Sequence, residues 1–160
     1  MPEPETPPQI VSDDGRQSVR ALEIARGACR LLARYGMRAI AEVSLANCRR
    51  ADLMALGEDG SIWIVEIKSS LEDFRVDQKW PEYRDYCDRL FFAVALDFPR
   101  EVLPADTGLI IADRYGGELL REAPEHKLPA ARRKAVLIRF ARGAASRLMT
   151  IADPESAFES

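Results

Sequence analysis

The chain has 160 residues, of which 47% are hydrophobic and 31% charged, with a net charge of −3. This suits one compact, ordinary globular domain with a full core, and the negative balance argues against non-specific nucleic-acid binding. No apolar stretch reaches membrane-spanning length, and the acidic, proline-rich start Met1-Pro2-Glu3-Pro4-Glu5 is the opposite of a secretory signal.

In chain order, Met1 to Gln17 is acidic, rich in proline and without periodicity, and is read as a mobile tail. Val19, Leu22, Ala25, Ala28, Cys29 and Leu32 recur at helical spacing, which predicts a helix over Ser18 to Tyr35 with Gly36 as its C-cap. Ile40 to Leu45 is the first expected strand. Two further alternating runs, Ala51 to Leu56 and Ser61 to Ser69, flank Gly57-Glu58-Asp59-Gly60, a strong hairpin signal. Ser70-Leu71-Glu72-Asp73 has the form of a capping box, and after a break near Trp80 a helix restarts with Pro81 at its first position. Leu90 to Ala95 and Gly108 to Ala112 read as buried strands, and Glu118 to Ala123 pairs with the latter across Tyr115-Gly116-Gly117. Pro129 to Met149 closes the domain as a helix with Ala131, Ala135, Ile138, Arg142 and Ala145 along one stripe and Leu137, Phe140 and Ala144 nearby, followed by a tail over 150–160.

Cys29, Cys48 and Cys87 are odd in number and form no Cys-x-x-Cys pair, so they are expected to be free thiols in a reducing cytoplasm. From His126 to Met149 seven basic residues occur without an acid, leaving −10 on the rest of the chain. Such a segment can meet phosphate locally, or be only a solvated basic helix face; composition leaves both open.

Charge among apolar strands is the informative feature. Ile62, Ile64, Glu66 and Lys68 share one face of the Ser61–Ser69 strand, and both faces are mostly apolar, as in a central strand covered on both sides. An unpaired charge there would cost several kcal/mol, on the order of the effective penalty per buried ion. Across the hairpin, Asp52 shares a face with Met54 and Leu56 and lies about as far from the turn as Glu66, a register that brings the two carboxylates together. A hard divalent cation, Mg²⁺ or Mn²⁺, accepts such oxygens: Asp52, Glu66 and the backbone carbonyl of Ile67 would hold it, and Lys68 would orient water and neutralise a phosphate. Phosphodiester hydrolysis fits this inventory.

Asp52 with Glu66-Ile67-Lys68 resembles the signature of the PD-(D/E)xK nuclease superfamily, with Ala51 where the proline of that name would stand. Arg49-Arg50-Ala51-Asp52, Trp63 through Ser70 and the long string Asp77 through Asp88 further resemble the MmcB-family DNA repair proteins. The resemblance implies an α/β fold over 18–149 with a restriction-endonuclease-like core (helix, three strands, helix, strand), a small β extension and a C-terminal helix. It implies a role in the DNA damage response, with Asp52, Glu66 and Lys68 as catalytic residues acting on DNA at the nucleoid. An additional acidic metal ligand has two candidates, Glu23 on the first helix and Glu42 on the first strand, each of which can also be a solvated position. Arg49, Arg50, Gln78 and Lys79 are candidate DNA contacts, with ordinary exposed positions as the alternative. Trp80, Tyr83 and Tyr86 read as core in preference to base-stacking residues, and His126 as a surface residue. A non-catalytic DNA-binding or adaptor module with the same fold is the rival reading. A purely structural protein with a buried Glu66–Lys68 pair is a third, and homodimerisation and repair-protein partners stay open.

Overall fold

The computed structural model describes residues 18–155. The expected amino-terminal tail and the last five residues lie outside them. Ser18 caps the first helix, α1 (Val19–Arg34), accepting from the Ala21 amide at 3.1 Å. Gly36 ends it in the left-handed region at φ 76°, its amide donating to the Ala33 carbonyl. The strands β1 (Arg38–Ser44), β2 (Arg50–Leu56) and β3 (Ile62–Ile67) then form an antiparallel meander. In the β2–β3 turn, Gly60 takes φ 85° and the Ser61 amide donates to the Asp59 carboxylate at 3.0 Å.

The short helix α2 (Leu71–Val76) follows, its Ser70 hydroxyl accepting from the Asp73 amide at 3.1 Å. A 3-10 helix over Trp80–Tyr86 begins where Pro81 restarts the turn. This crossover delivers β4 (Arg89–Val94) parallel to β3, and β5 (Gly108–Ala112) is parallel to β4 in turn. β6 (Gly117–Arg121) pairs antiparallel to β5 and completes a six-stranded mixed sheet in the order β1-β2-β3-β4-β5-β6. The last helix, α3 (Ala130–Ala152), runs three residues past the expected end at Met149.

α1 covers one face of the sheet, packing Ile24, Ala28, Leu31 and Leu32 against Leu53, Val65, Phe91 and Ile110. On the other face Val136 of α3 joins Tyr83, Tyr86, Met54, Ile62 and Ile64. The aromatics of the 3-10 helix are therefore core, and Trp80 sets its ring edge-on to Phe92 at 5.8 Å. The α3 stripe expected from periodicity is the exposed side: Ala131, Ala135, Ile138, Arg142 and Ala145 all face out, while Val136, Leu137 and Phe140 pack against the sheet. Alanine is small enough to sit on either side of a helix, so an alanine-rich pattern marks no unique buried face. Cys29, Cys48 and Cys87 are free, as expected. No helix among the described residues is long and apolar enough to cross a membrane.

One buried acid locks α3 to the sheet. Asp88, at the entry to β4, accepts from the Ile62 and Leu128 amides at 2.8 Å each and from both Nη atoms of Arg133, at 2.7 and 2.6 Å. Burial would raise its pKa, but the Arg133 fork and the two amides hold its carboxyl below the usual value. Arg133→Ala leaves that carboxylate buried without its cation. The expected loss is about 2–4 kcal/mol in urea unfolding, below the full range for buried pairs because the arginine stays partly in water.

Candidate functional site

The β2–β3 register pairs Leu53 with Val65, so Asp52 stands opposite Glu66 at the next step. There side chains replace the backbone ladder. The Asp52 amide donates to Glu66 Oε1 at 3.1 Å, and the Ile67 amide donates to Asp52 Oδ2 at 2.8 Å. Glu66 is 2% exposed, and the two carboxyl groups are close enough to shift one another. Burial raises Asp52 against the opposing pull of the Ile67 amide and Glu66. Burial and the adjacent Asp52 charge push Glu66 well above the usual carboxylate value.

Asp52 does not keep the face it shares in sequence with Met54 and Leu56. Ala51 and its partner Val43 pack on the α3 side, whereas Leu53 and Ala41 pack on the α1 side. The reversal falls at Glu42, opposite Asp52, which sits in the left-handed region at φ 54°, a conformation rare for a non-glycine residue. As a result Asp52 opens into a cleft of about 230 Å³ together with Ser18 and Ala21 of α1 and with Lys68, Asp73 and Asp77. Tyr83 anchors the entry to β2 by donating its hydroxyl to the Arg50 carbonyl at 3.1 Å.

Lys68 lies beyond the end of β3 and is 3% exposed. Its Nζ is turned to Asp77 Oδ2 at 3.0 Å and forms no ion pair with Glu66. Burial would lower this lysine, but the Asp77 hydrogen bond and the charges of Asp73, Asp77 and Glu66 outweigh it and raise its pKa. The reading of Glu66 and Lys68 as a buried ion pair therefore fails on geometry. Asp73 and Asp77 were missed in the sequence. Asp73 belongs to the capping box, but its carboxylate accepts from the Ser69 amide at 3.1 Å and adds its charge to the neighbourhood of Asp52.

The other candidates divide. Neither Glu23 nor Glu42 lines the cleft: Glu23 is half-buried on α1, and Glu42 reaches Arg50 Nη2 at 3.8 Å. Arg49 is committed to Glu82, Nε to Oε2 at 2.6 Å. Gln78 folds back to donate to the Phe74 carbonyl, and Lys79 is exposed without an ion pair among the described residues. His126 is exposed beside Arg84.

Among the described residues, no group of three or more His, Cys, Asp or Glu side chains is disposed to hold a metal ion. The pair Asp52 and Glu66 nevertheless fits a hard cation by its donor chemistry. Two carboxyl groups are held together, the nearest lysine is engaged elsewhere, and Mg²⁺ commonly takes only one or two carboxylates and fills its shell with water.

A mixed α/β domain with an acidic cleft at the carboxyl end of β3, lined by Asp52, Asp73 and Asp77 with Glu66 buried beside Asp52, is the class this geometry defines. The chain matches, over residues 8–155, the family described as DNA repair protein MmcB-like, and it belongs to that family. It is also similar to the solved structure of a protein of unknown function from Silicibacter pomeroyi, at 46% identity and a TM-score of 0.85, covering 91% of this chain and 99% of that one. No curated protein matches it.

Asp77→Asn removes the anion that holds Lys68. The lysine should then titrate at lower pH, followed through its Cε resonance, because only the charges of Asp73 and Glu66 still oppose burial. Asp77 is held below its usual value, chiefly against burial by the Lys68 bond, so its contribution is present at neutral pH and lost as pH falls through that depressed value. The stability loss should be about 1 kcal/mol near neutrality, discounted because Asp77 is partly exposed, and should fade in acid.

Proposed function

We propose that this protein is a divalent-metal-dependent DNA endonuclease of the damage response, built on a restriction-endonuclease-like core. The observation that carries the reading is the juxtaposition of Asp52 and Glu66, one carboxyl group half-buried and the other buried beside it, neither salt-bridged to a basic side chain among the described residues. The helix, three antiparallel strands, crossover and parallel β4 support the core assignment, and the family's name supports DNA as the substrate.

Asp52, Glu66 and the Ile67 carbonyl would hold Mg²⁺ or Mn²⁺. When bound, such a cation polarises a phosphoryl oxygen and lowers the pKa of a coordinated water. The protein's own groups supply the rest. The β2–β3 ladder fixes the two carboxylates, and the Ile67 amide orients Asp52 through its 2.8 Å bond. Lys68, a compact cation at the cleft wall, meets the phosphate charge and positions water once Asp77 releases it, while Asp73 and Asp77 keep it protonated until then.

The second reading is a DNA-binding or adaptor module that keeps this fold without cleavage. One observation favours it: the lysine required for hydrolysis is tied to Asp77.

The test is cleavage of nicked, gapped and branched DNA with Mg²⁺ or Mn²⁺, run beside metal titration followed by thermal unfolding. Metal should raise the wild-type midpoint, and Asp52→Ala should abolish both this shift and cleavage. Lys68→Ala should retain the shift and lose cleavage by about 100-fold or more, the scale of a removed charge-stabilising group. Metal stabilisation with no cleavage of any substrate would leave the adaptor reading; no metal effect would remove the metal site as well.

A further inference from the structure

The face of α3 that the sheet leaves uncovered carries a distinct arrangement of charge. Between β1 and α3 runs a groove of about 940 Å³, walled by Ile40, Val43 and Ile138 and rimmed by Arg139, Arg142 and Arg147. All three arginines are exposed, and none forms an ion pair with a carboxylate among the described residues. Arg147 Nη2 donates to the Glu42 carbonyl at 2.8 Å and Arg139 Nη1 to the Ser44 carbonyl at 3.4 Å, bonds that aim the guanidinium groups without cancelling their charge. Arg133, by contrast, is spent on Asp88, so the basic segment separates into a structural arginine and a free row.

The row borders the candidate site only through the backbone of β1, on the face of the sheet opposite the cleft into which Asp52 opens. Glu42 stands opposite Asp52 in the β1–β2 ladder, and Arg147 is bonded to its carbonyl. The one carboxylate on the groove, that of Glu42, faces Arg50 at 3.8 Å. Helical rise places Arg139 and Arg147 about 12 Å apart along the axis, which spans roughly three to four phosphates of one strand at its spacing along a duplex. Seven basic residues between His126 and Met149, on a chain of net charge −3, concentrate positive charge on this segment and favour the approach of a phosphate backbone here.

We infer that Arg139, Arg142 and Arg147 form a phosphate-binding track that seats a DNA duplex along the β1–α3 groove. The inference rests on the proposed action on DNA, but it concerns binding and requires neither metal nor cleavage. Arginine suits this role because its planar fork engages phosphate oxygens in pairs.

The experiment measures binding of the full chain carrying Asp52→Asn to a fluorescent duplex of about 20 base pairs, in EDTA, across a salt series. Every phosphate that is no longer neutralised should reduce the log–log salt slope by about 0.9. Arg139→Ala, Arg142→Ala and Arg147→Ala together should reduce it by about two to three and weaken binding by about tenfold or more near 100 mM salt. Arg→Lys at the three positions should restore most of the slope. Because Arg139 and Arg147 also touch β1, Arg142→Glu serves as the variant that disturbs no hydrogen bond within the fold, and it should weaken binding about threefold or more at an unchanged unfolding midpoint. An unchanged slope and affinity in both variants would overturn the track, as would a parent protein that does not bind DNA or binds anionic lipid vesicles in preference. Arginine-dependent binding by a protein that never cleaves would sustain the track and remove the nuclease reading alone; cleavage without arginine dependence would do the reverse.

Discussion

The same sheet holds acids in two ways, and the difference organises the molecule. Asp88 receives a complete arginine fork and two amides, its charge is matched, and its carboxyl stays below its usual pKa. Asp52 and Glu66 receive one backbone amide each, and the Lys68 charge reaches them without a salt bridge. Burial raises both, and the neighbouring Asp52 charge drives Glu66 higher still. A fold that pairs one buried carboxylate so completely has the means to pair another, yet Lys68 is directed away from Glu66 to Asp77. The uncompensated pair is a local cost that the surrounding core holds in place, a frequent property of functional sites.

That cost can be borne because both neighbours are rigid. Asp52 and Glu66 sit on central strands whose flanking residues Leu53, Ile64 and Val65 are fully buried, so the carboxylates cannot separate without parting the β2–β3 ladder. Tyr83 closes the open end of β2, and the Asp88–Arg133 lock keeps α3 seated on the opposite face. Lys68 is the exception. It follows the last residue of β3, and the aspartate that holds it belongs to the turn after the six-residue α2. The carboxylates are thus set by the sheet and the lysine by a connection, which is where a site can adjust on meeting a ligand.

Much of this was legible in the sequence. Hairpin chemistry at Gly57–Gly60 placed Asp52 opposite Glu66, because turn type and hydrophobic alternation together fix a register. Gly36, Ser70 and Pro81 marked helix ends that the structure has. What was not legible required information from distant residues. Period-two alternation put Lys68 beside Glu66, but the strand stops at Ile67 and a carboxylate nine positions later claims the ammonium. Nothing in the composition of β1 announces the left-handed Glu42, although the twist there decides which cleft Asp52 enters. The α3 stripe was read from alanines, which burial does not strongly select, and its outward side proved to be the arginine-rimmed groove.

The central claim is that Asp52 and Glu66 together lack a positive charge that a divalent cation supplies. It is tested most directly by titration calorimetry of Mn²⁺ binding in buffers of different ionisation enthalpy, which counts the protons displaced. Mn²⁺ is expected to bind with net proton release, approaching about one proton per ion where Glu66 is protonated and declining as pH rises through its elevated value. Glu66→Gln should bind more weakly and release fewer protons. Mn²⁺ binding without proton release at any pH between about 5 and 8, or no binding at millimolar Mn²⁺, would contradict it.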